Sequence, residues 1–316
     1  MDVTVWWTPD EVPGDLGRTV VTIGVFDGVH KGHQAVIGRA AKRARDAGVP
    51  LIAITFDPNP MAVVRPDSAP PSLVPLERRI VLLGDAGADH VLVLPFDKER
   101  AQQSPDEFVT DVLIGVCEVL VIVVGKDFRF GHRAAGDVAL LRRLGEERDF
   151  SVDAVEIVGG GTVERWSSSH IRDLVAGGDV AAAAEALGRP FRFEGVVVRG
   201  EGRGRKLGFP TANIPVRDEK VVPADGVYAG WVTVPDNPTA GAMPAAVSVG
   251  TNPTFDGMIR TVEPYVLDRD DLELYGMQIA VDFVDRIRGQ ERFGSVDDLV
   301  AQMARDVADV RPILAL

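Results

Sequence analysis

The sequence predicts an α/β domain followed by a small all-β domain, on three observations. From residue 20 to about 124, strand-like apolar runs alternate with helical patterns; beyond Pro190 the texture changes to short β-like segments separated by Gly, Pro and Asp turns; and the chain closes on apolar residues at helical spacing. The first pattern implies βαβ units and a parallel sheet with helices on its faces. The second implies a small antiparallel barrel. At 316 residues, 46% of them hydrophobic, the chain has enough apolar material for two cores.

Taken in order, VVTIGVF at 20–26 reads as a strand, QAVIGRAAKRARDAG at 34–48 as the helix behind it, LIAITF at 51–56 as a strand and PLERRIVLLGDAG at 75–87 as a helix. DHVLVLPF at 89–96, PDEFVTDVLI at 105–114 and VLVIVVG at 119–125 continue as strand, helix and strand. SSSHIRDLVAGGDVAAAAEALG reads as two short helices broken at Gly177-Gly178, and Gly188, Arg189 and Pro190 mark a boundary. Six β-like segments follow: FRFEGVVVRG, ANIPV, GVYAGWVTV, PAAVSVG, RTVEPYVLD and MQIAVDFVDRIR. In SVDDLVAQMARDVADV, Ser295 stands in N-cap position of a terminal helix.

The formal charge of −13 argues against general attraction to nucleic acid or anionic membranes, so any phosphate must be held by a local site. The one cysteine, Cys117, lies in an apolar run and reads as a buried structural thiol. The N-terminal MDVTVWWTPD lacks the basic start and apolar core of a signal peptide, and no uncharged apolar run reaches membrane-spanning length. A soluble cytoplasmic protein is expected, with no nucleic acid or membrane partner; association with further copies is left open.

The stretch GVFDGVHKGHQ ends the first strand and opens a helix. Gly28 and Gly32 let the backbone approach a ligand, the amides opening the helix favour an anion, and His30 and His33 are placed to hydrogen-bond a phosphate. Zinc is the weaker reading, because neither HExxH nor cysteine pairs supply further ligands. Three other segments fall at strand ends or helix starts, where α/β proteins build their sites: TFDPNP at 55–60, GKDFRFGHRAAGD at 125–137 and WSSSHIR at 166–172. Taken singly, these read as a turn, loop hinges and helix caps.

In the β region, GEGRGRKLGFPTANI at 200–214 sets four glycines among basic residues. It is not a Walker loop, because Leu207 follows Lys206 where Ser or Thr belongs, and Pro210 and Pro215 stand where the helix of a Rossmann turn would continue. A flexible hairpin with solvated charges is the plain alternative. Glycine amides with Arg203, Arg205 and Lys206 suit a phosphate-covering loop, and Thr211 and Asn213 offer oxygen ligands to Mg²⁺.

These motifs resemble a known family. His30-x-Gly32-His33 and SSSHIR are similar to the HxGH nucleotidylyltransferases, and GVFDGVHKGH, TFDPNP, GKDFRFG and SSSHIR occur in the order found in bacterial bifunctional riboflavin kinase/FAD synthetases. LGFPTANI resembles the PTAN motif of riboflavin kinases, with GVYAGWV, SVGTNPTF, TVEPYVLD and RGQERF following in that family's order. The resemblance implies a Rossmann-like nucleotidylyltransferase domain over 1–187 and a six-stranded Greek-key β-barrel kinase domain with a terminal helix over 188–316. It implies that His30 and His33 hold ATP phosphates, that Gly24, Phe26, Asp27, Gly32 and Asp127 help bind substrates, and that Ser168 and Arg172 grip the triphosphate. In the barrel it implies nucleotide binding by Gly204 and Lys206, Mg²⁺ and nucleotide binding by Thr211 and Asn213, and a general base in Glu263. Asn252 and Phe255, with Arg292 and Phe293, fall at the flavin and nucleotide edges. Asn59 and His170 depart from the family pattern and carry no role.

The implied enzyme phosphorylates riboflavin with ATP to FMN and ADP, then adenylylates FMN with ATP to FAD and pyrophosphate, with Mg²⁺ as cofactor. The chemistry is coherent. An FMN phosphate is already ionised and needs positioning and charge stabilisation, whereas a ribityl hydroxyl must lose a proton to a carboxylate. Two competing readings remain: a nucleotidylyltransferase for another phosphate substrate fused to an unrelated barrel, and a non-catalytic flavin- or nucleic-acid-binding protein.

Overall fold

The computed structural model describes residues 3–156, 166–200, 203–217, 219–235, 237, 239, 241–254 and 257–316. The chain divides into two compact units, Met1–Ser168 and Ser169–Leu316. The expected functional boundary at 187/188 lies further along, and the 19 residues between the two positions are two helices treated below with the second unit.

In the first unit the elements run β1 (Thr4–Trp6), β2 (Thr19–Ile23), α1 (Lys31–Ala47), β3 (Leu51–Asp57), α2 (Pro60–Val64), α3 (Leu76–Asp85), β4 (His90–Pro95), α4 (Pro105–Phe108), β5 (Val119–Gly125), α5 (Val138–Arg148) and β6 (Ser151–Val155). The six strands form one parallel sheet in the order β1-β4-β3-β2-β5-β6. Side chains alternate across a strand, and the central strands therefore feed two cores. Ile23, Ile52, Ile54, Leu92, Leu94, Ile122 and Val124 belong to one cluster, and Val20, Leu51, Ala53, Val91, Val93 and Val123 to the other. Burial on both faces explains why these strands read as continuous apolar runs. The edge strands β1 and β6, and α5, lie outside the predicted elements; three residues of β1 and the half-exposed β6 carry too little apolar pattern to register. The predicted helix at 105–114 begins as α4, capped by Ser104 and Glu107 in a capping box, and widens to a π-helical turn over 109–114.

The second unit comprises α6 (Ser168–Gly177), α7 (Val180–Leu187), β7 (Phe191–Val196), α8 (Arg203–Lys206), β8 (Ile214–Pro215), β9 (Gly226–Thr233), β10 (Met243–Thr254), β11 (Gly257–Val266), β12 (Gln278–Gly289) and α9 (Val296–Ile313). α6 begins on the last residue of the first unit. The break between α6 and α7 falls at Gly178, whose φ of 85° only glycine adopts readily. α7 packs on β7 and β12, which draws 169–187 into this unit. Six antiparallel strands run in the order β7-β12-β9-β10-β11-β8, so the last strand returns between the first and third in the crossover of a Greek key. Beyond β7 and β8 a bridge between Val198 and Asn213, with the Val198 amide donating to the Asn213 carbonyl at 2.8 Å, nearly closes the barrel. α9 is capped by Ser295, whose hydroxyl accepts from the Asp298 amide at 3.1 Å, and it packs on β9, β10 and β12.

Candidate active sites

The turn from Gly24 to His30 leaves β2 at its carboxyl end, the edge where parallel sheets gather ligands. It is a sharply wound piece of backbone: Phe26, Gly28 and Val29 have φ of 51°, 82° and 39°. Left-handed conformations cost a non-glycine residue roughly 1 kcal/mol or more and are held by their surroundings. Here Phe26 and Val29 are buried in the core beneath the turn, the Val29 amide donates to the Phe26 carbonyl at 3.0 Å, and Gln34 Nε2 donates to the Val29 carbonyl at 2.8 Å. Gly24 makes room for this packing, because a Cβ there would stand 3.0–3.2 Å from the Phe26 ring.

His30 is the N-cap of α1, and its Nδ1 accepts from the His33 amide at 3.3 Å. Acceptance at Nδ1 leaves the Nε2–H as the ring's donor. The two imidazoles stack with centroids 3.7 Å apart, and Phe26 meets His33 edge-on at 5.3 Å. Burial first, then His30 and the Arg79 guanidinium, hold the His33 pKa well below the ordinary histidine value, so this ring is neutral near pH 7. Its Nδ1 is covered and has no hydrogen-bond partner among the described residues. Gly32 lies buried between the two histidines.

Asp27, expected to bind substrate, is buried, and its carboxylate accepts from the amides of Leu73 and Val74 at 3.0–3.3 Å. It thereby ties the turn to the loop before α3. Ser168 reaches the same residue from the other side, its hydroxyl donating to the Asp27 carbonyl at 2.9 Å. Lys31 Nζ lies 5.3 Å from the ring centroid of Trp166, a second link between this segment and the turn. Arg172 lies further along α6, half-buried. In TFDPNP, Asp57 ends β3, the Asp57-Pro58 peptide is cis, and Asn59 caps α2 by accepting from the Met61 amide at 3.0 Å. Asp127 is exposed on the loop after β5.

Sequence reasoning passed over Arg79. It lies on α3 among the residues that face the core, is buried, and donates from Nη1 to Thr55 Oγ1 at 3.3 Å and to the Phe56 carbonyl at 3.2 Å. A buried arginine among Ile80, Leu82 and Leu83 is the available signal, but α3 shows a double arginine that reads as solvated charge until the helix is docked.

In the second unit a cavity of about 600 Å³ opens among β8, β9, β10, β11, β12, α9 and the segment that follows β7, within the usual size range of small-molecule sites. The strand register explains which residues face it. Ile214 pairs with Val262 and Pro215 with Thr261, and the Ala212 amide donates to the Pro264 carbonyl at 3.0 Å. Continued by one residue, this register sets Asn213 opposite Glu263, and β10 sets Ser248 opposite Glu263. Residues directly opposite share a face, as do residues two apart. Thr211, Asn213, Ser248, Thr261 and Glu263 therefore fall on one face, and all five line the cavity. The Thr261 hydroxyl donates to Glu263 Oε1 at 2.7 Å, and Gln290 Nε2 donates to Ser248 Oγ at 3.3 Å. Asn213 Nδ2 stands 3.5 Å from the Thr211 carbonyl oxygen.

Gly204 also lines the cavity, and a Cβ there would collide with the Phe209 carbonyl oxygen. Phe293 lines the cavity, whereas Arg292 is exposed and outside the lining. The side chains of Lys206 and Asn252, and Phe255 altogether, lie outside the described residues. At the wall formed by α9, Arg288 and Asp306 make a bidentate pair at 2.8 and 2.7 Å.

Comparison with known proteins divides the chain into the same two classes of domain. Residues 13–170 match the FAD synthetase family model and residues 187–314 the riboflavin kinase family model. Bifunctional riboflavin kinase/FMN adenylyltransferases of Escherichia coli (37% identical, covering 94% of this chain and 93% of theirs) and Bacillus subtilis (33%, covering 92% and 91%) are similar over nearly the full length. A crystal structure described as a macrolide-efflux protein from Streptococcus pneumoniae shares the fold, with 31% identity and a TM-score of 0.86 over 98% of this chain and 99% of that one. No helix among the described residues is long and apolar enough to cross a membrane. The chain belongs to the bifunctional riboflavin kinase/FMN adenylyltransferase family, and its two domains take riboflavin to FMN and FMN to FAD with ATP.

Proposed function

We propose the following division of residues and reactants between the two domains, with the catalytic boundary at 187/188. In the N-terminal domain an FMN phosphate oxygen attacks the α-phosphorus of ATP, the bond to the β-phosphate bridging oxygen breaks, and pyrophosphate leaves. The attacking group is ionised beforehand, so this site needs donors and positive charge and no strong base. His30 through Nε2–H, the neutral His33 and the amides opening α1 are those donors. Gly24, Phe26 and Asp27 shape the turn that carries them. Ser168 and Arg172 engage the triphosphate, and Asp127 helps hold the substrates.

In the barrel the ribityl hydroxyl of riboflavin attacks the γ-phosphorus of ATP and ADP leaves. Glu263 takes the hydroxyl proton. Its place on one cavity face with Thr211 and Asn213 is the observation that carries this reading. Thr211 and Asn213 also suit Mg²⁺, because their side chains offer the hard oxygen donors that would hold it. A Cβ at Gly200 would lie 2.6–2.8 Å from the Asn213 amide group, so glycine there leaves the cradle around that group open. The chemistry such an ion would supply there is neutralisation of phosphate charge. Gly204 and Arg292 serve the nucleotide and flavin, with Arg292 acting from outside the cavity wall, and the same role is assigned to Lys206 and Asn252. A cytoplasmic enzyme, with its buried Cys117 reduced, accords with this chemistry.

Incubation of the purified protein with riboflavin, ATP and Mg²⁺, followed by chromatography of the flavins, tests the proposal. FMN and then FAD are expected, with ADP and pyrophosphate as co-products. Formation of neither flavin nucleotide overturns it.

A further inference from the structure

We propose that Arg79 is a positioning residue for adenylyl transfer: its guanidinium fastens the end of β3 to the HxGH turn and sets a positive charge beneath the bound phosphates. The inference rests on the adenylyltransferase reading of this domain. Its basis is geometric. The same Nη1 meets the Thr55 hydroxyl at 3.3 Å and the Phe56 carbonyl at 3.2 Å, and Thr55 Oγ1 in turn donates to the Val25 carbonyl at 3.1 Å. A continuous chain of contacts thus runs from α3 through the last residues of β3 into the turn whose next residues are Phe26 to His33.

Arg79 is 4% exposed, yet it makes no ion pair among the described residues, and its Nε has no hydrogen-bond partner among them. Burying a cation without a contacting carboxylate is costly, and a helix built only for packing gains nothing from it. Burial lowers its pKa, while Asp27 on the turn, Asp57 at the end of β3 and Glu77 on α3 act the other way. Across the turn, His30 and Arg79 both oppose protonation of His33. Arg79 therefore has two effects on the reacting region: it fixes two segments relative to each other, and its charge adds to burial and His30 in disfavouring protonation of His33. Neither effect requires it to touch substrate.

The test uses the full chain and two assays. Arg79→Met is expected to lower kcat for FMN plus ATP by about ten- to a hundredfold, the scale of a misplaced reacting group, while riboflavin phosphorylation by the same preparation is unchanged. The acid limb of the adenylylation pH profile should move modestly to higher pH, because one of the charges that resist His33 protonation is gone. Arg79→Lys should restore the limb and recover only part of kcat, since an ammonium keeps the charge but lacks the fork. Wild-type kcat and an unshifted limb in Arg79→Met would overturn the inference. If Arg79→Met does not fold, Arg79→Lys decides: reduced kcat with an unmoved limb supports the assignment, and wild-type kcat overturns it. Wild-type protein that makes no FAD from FMN and ATP would instead defeat the adenylyltransferase reading, so the two failures are distinct.

Discussion

The two sites handle the same nucleotide by different structural means. In the α/β domain the groups proposed to act come from one short stretch of chain, wound through left-handed backbone at Phe26, Gly28 and Val29, with Asp27 tied to the loop before α3. In the barrel they come from segments fifty or more residues apart, Thr211 and Asn213 on one strand edge and Glu263 on another, brought to one face by strand register. A turn concentrates donors for a phosphate that is already ionised. A register assembles a carboxylate beside hydroxyl and amide oxygens, the arrangement that the proposed base for a hydroxyl nucleophile needs. The difference in architecture thus follows the difference in the attacking group.

The sharpest way to break this comparison is Glu263→Gln. It keeps the shape and the hydrogen bond from Thr261 but removes the basic carboxylate, so riboflavin phosphorylation should fall by about a hundredfold or more. FMN adenylylation should persist, and ADP titration in Mg²⁺ should show binding retained. Kinase turnover near that of the wild type would strip Glu263 of its role. The converse substitution, His33→Ala, should cost FMN-to-FAD conversion roughly a hundredfold and leave riboflavin phosphorylation intact; equal losses in the two assays would erase the division of labour.

Stability measurements sharpen the same contrast. Asp306→Ala leaves Arg288, whose side chain is 15% exposed, without its bidentate partner; breaking a buried pair of this kind costs about 3 kcal/mol or more. Calorimetry should show a lowered melting transition together with an unchanged rate of FMN adenylylation. A melting temperature equal to that of the wild type would mean the pair is solvated in practice.

The smallest expected effect is one of pH. His33 has a pKa well below the ordinary histidine value of about 6.5 in the folded state, chiefly through burial. The unfolded chain therefore takes up a proton that the folded one refuses, and stability contributed by this group, present above pH 6.5, declines as the pH falls below it. Substituting His33→Gln should flatten the fall in melting temperature between about pH 6.5 and 5, where this histidine titrates in the unfolded chain. An unaltered slope would assign the pH response elsewhere, first to His90, whose pKa is also lowered by burial.

Much of the architecture was legible because both periodicities are strong here. VVTIGVF, LIAITF, DHVLVLPF and VLVIVVG are predominantly apolar without alternation, as strands covered on both faces require, and β2, β3, β4 and β5 lie within or close to those runs. His30 and His33 stood out for a related reason: a motif confined to a few residues keeps its spacing in sequence. Asp27 was legible as a member of that motif but not by its task, since the amides it serves belong to Leu73 and Val74, far along the chain.

The sequence by itself determined the two-domain order, the parallel and antiparallel sheets, the turn bearing the histidines and the family to which the chain belongs. These are local patterns, set by side-chain periodicity and by turn chemistry over a few residues. Only the tertiary structure decided that Arg79 is buried beneath the turn, that His33 is neutral, that Arg292 stands outside the cavity while Phe293 lines it, and that Asn213 faces Glu263. Each of these depends on what a residue meets across the fold, because desolvation and strand register are properties of neighbours distant in sequence.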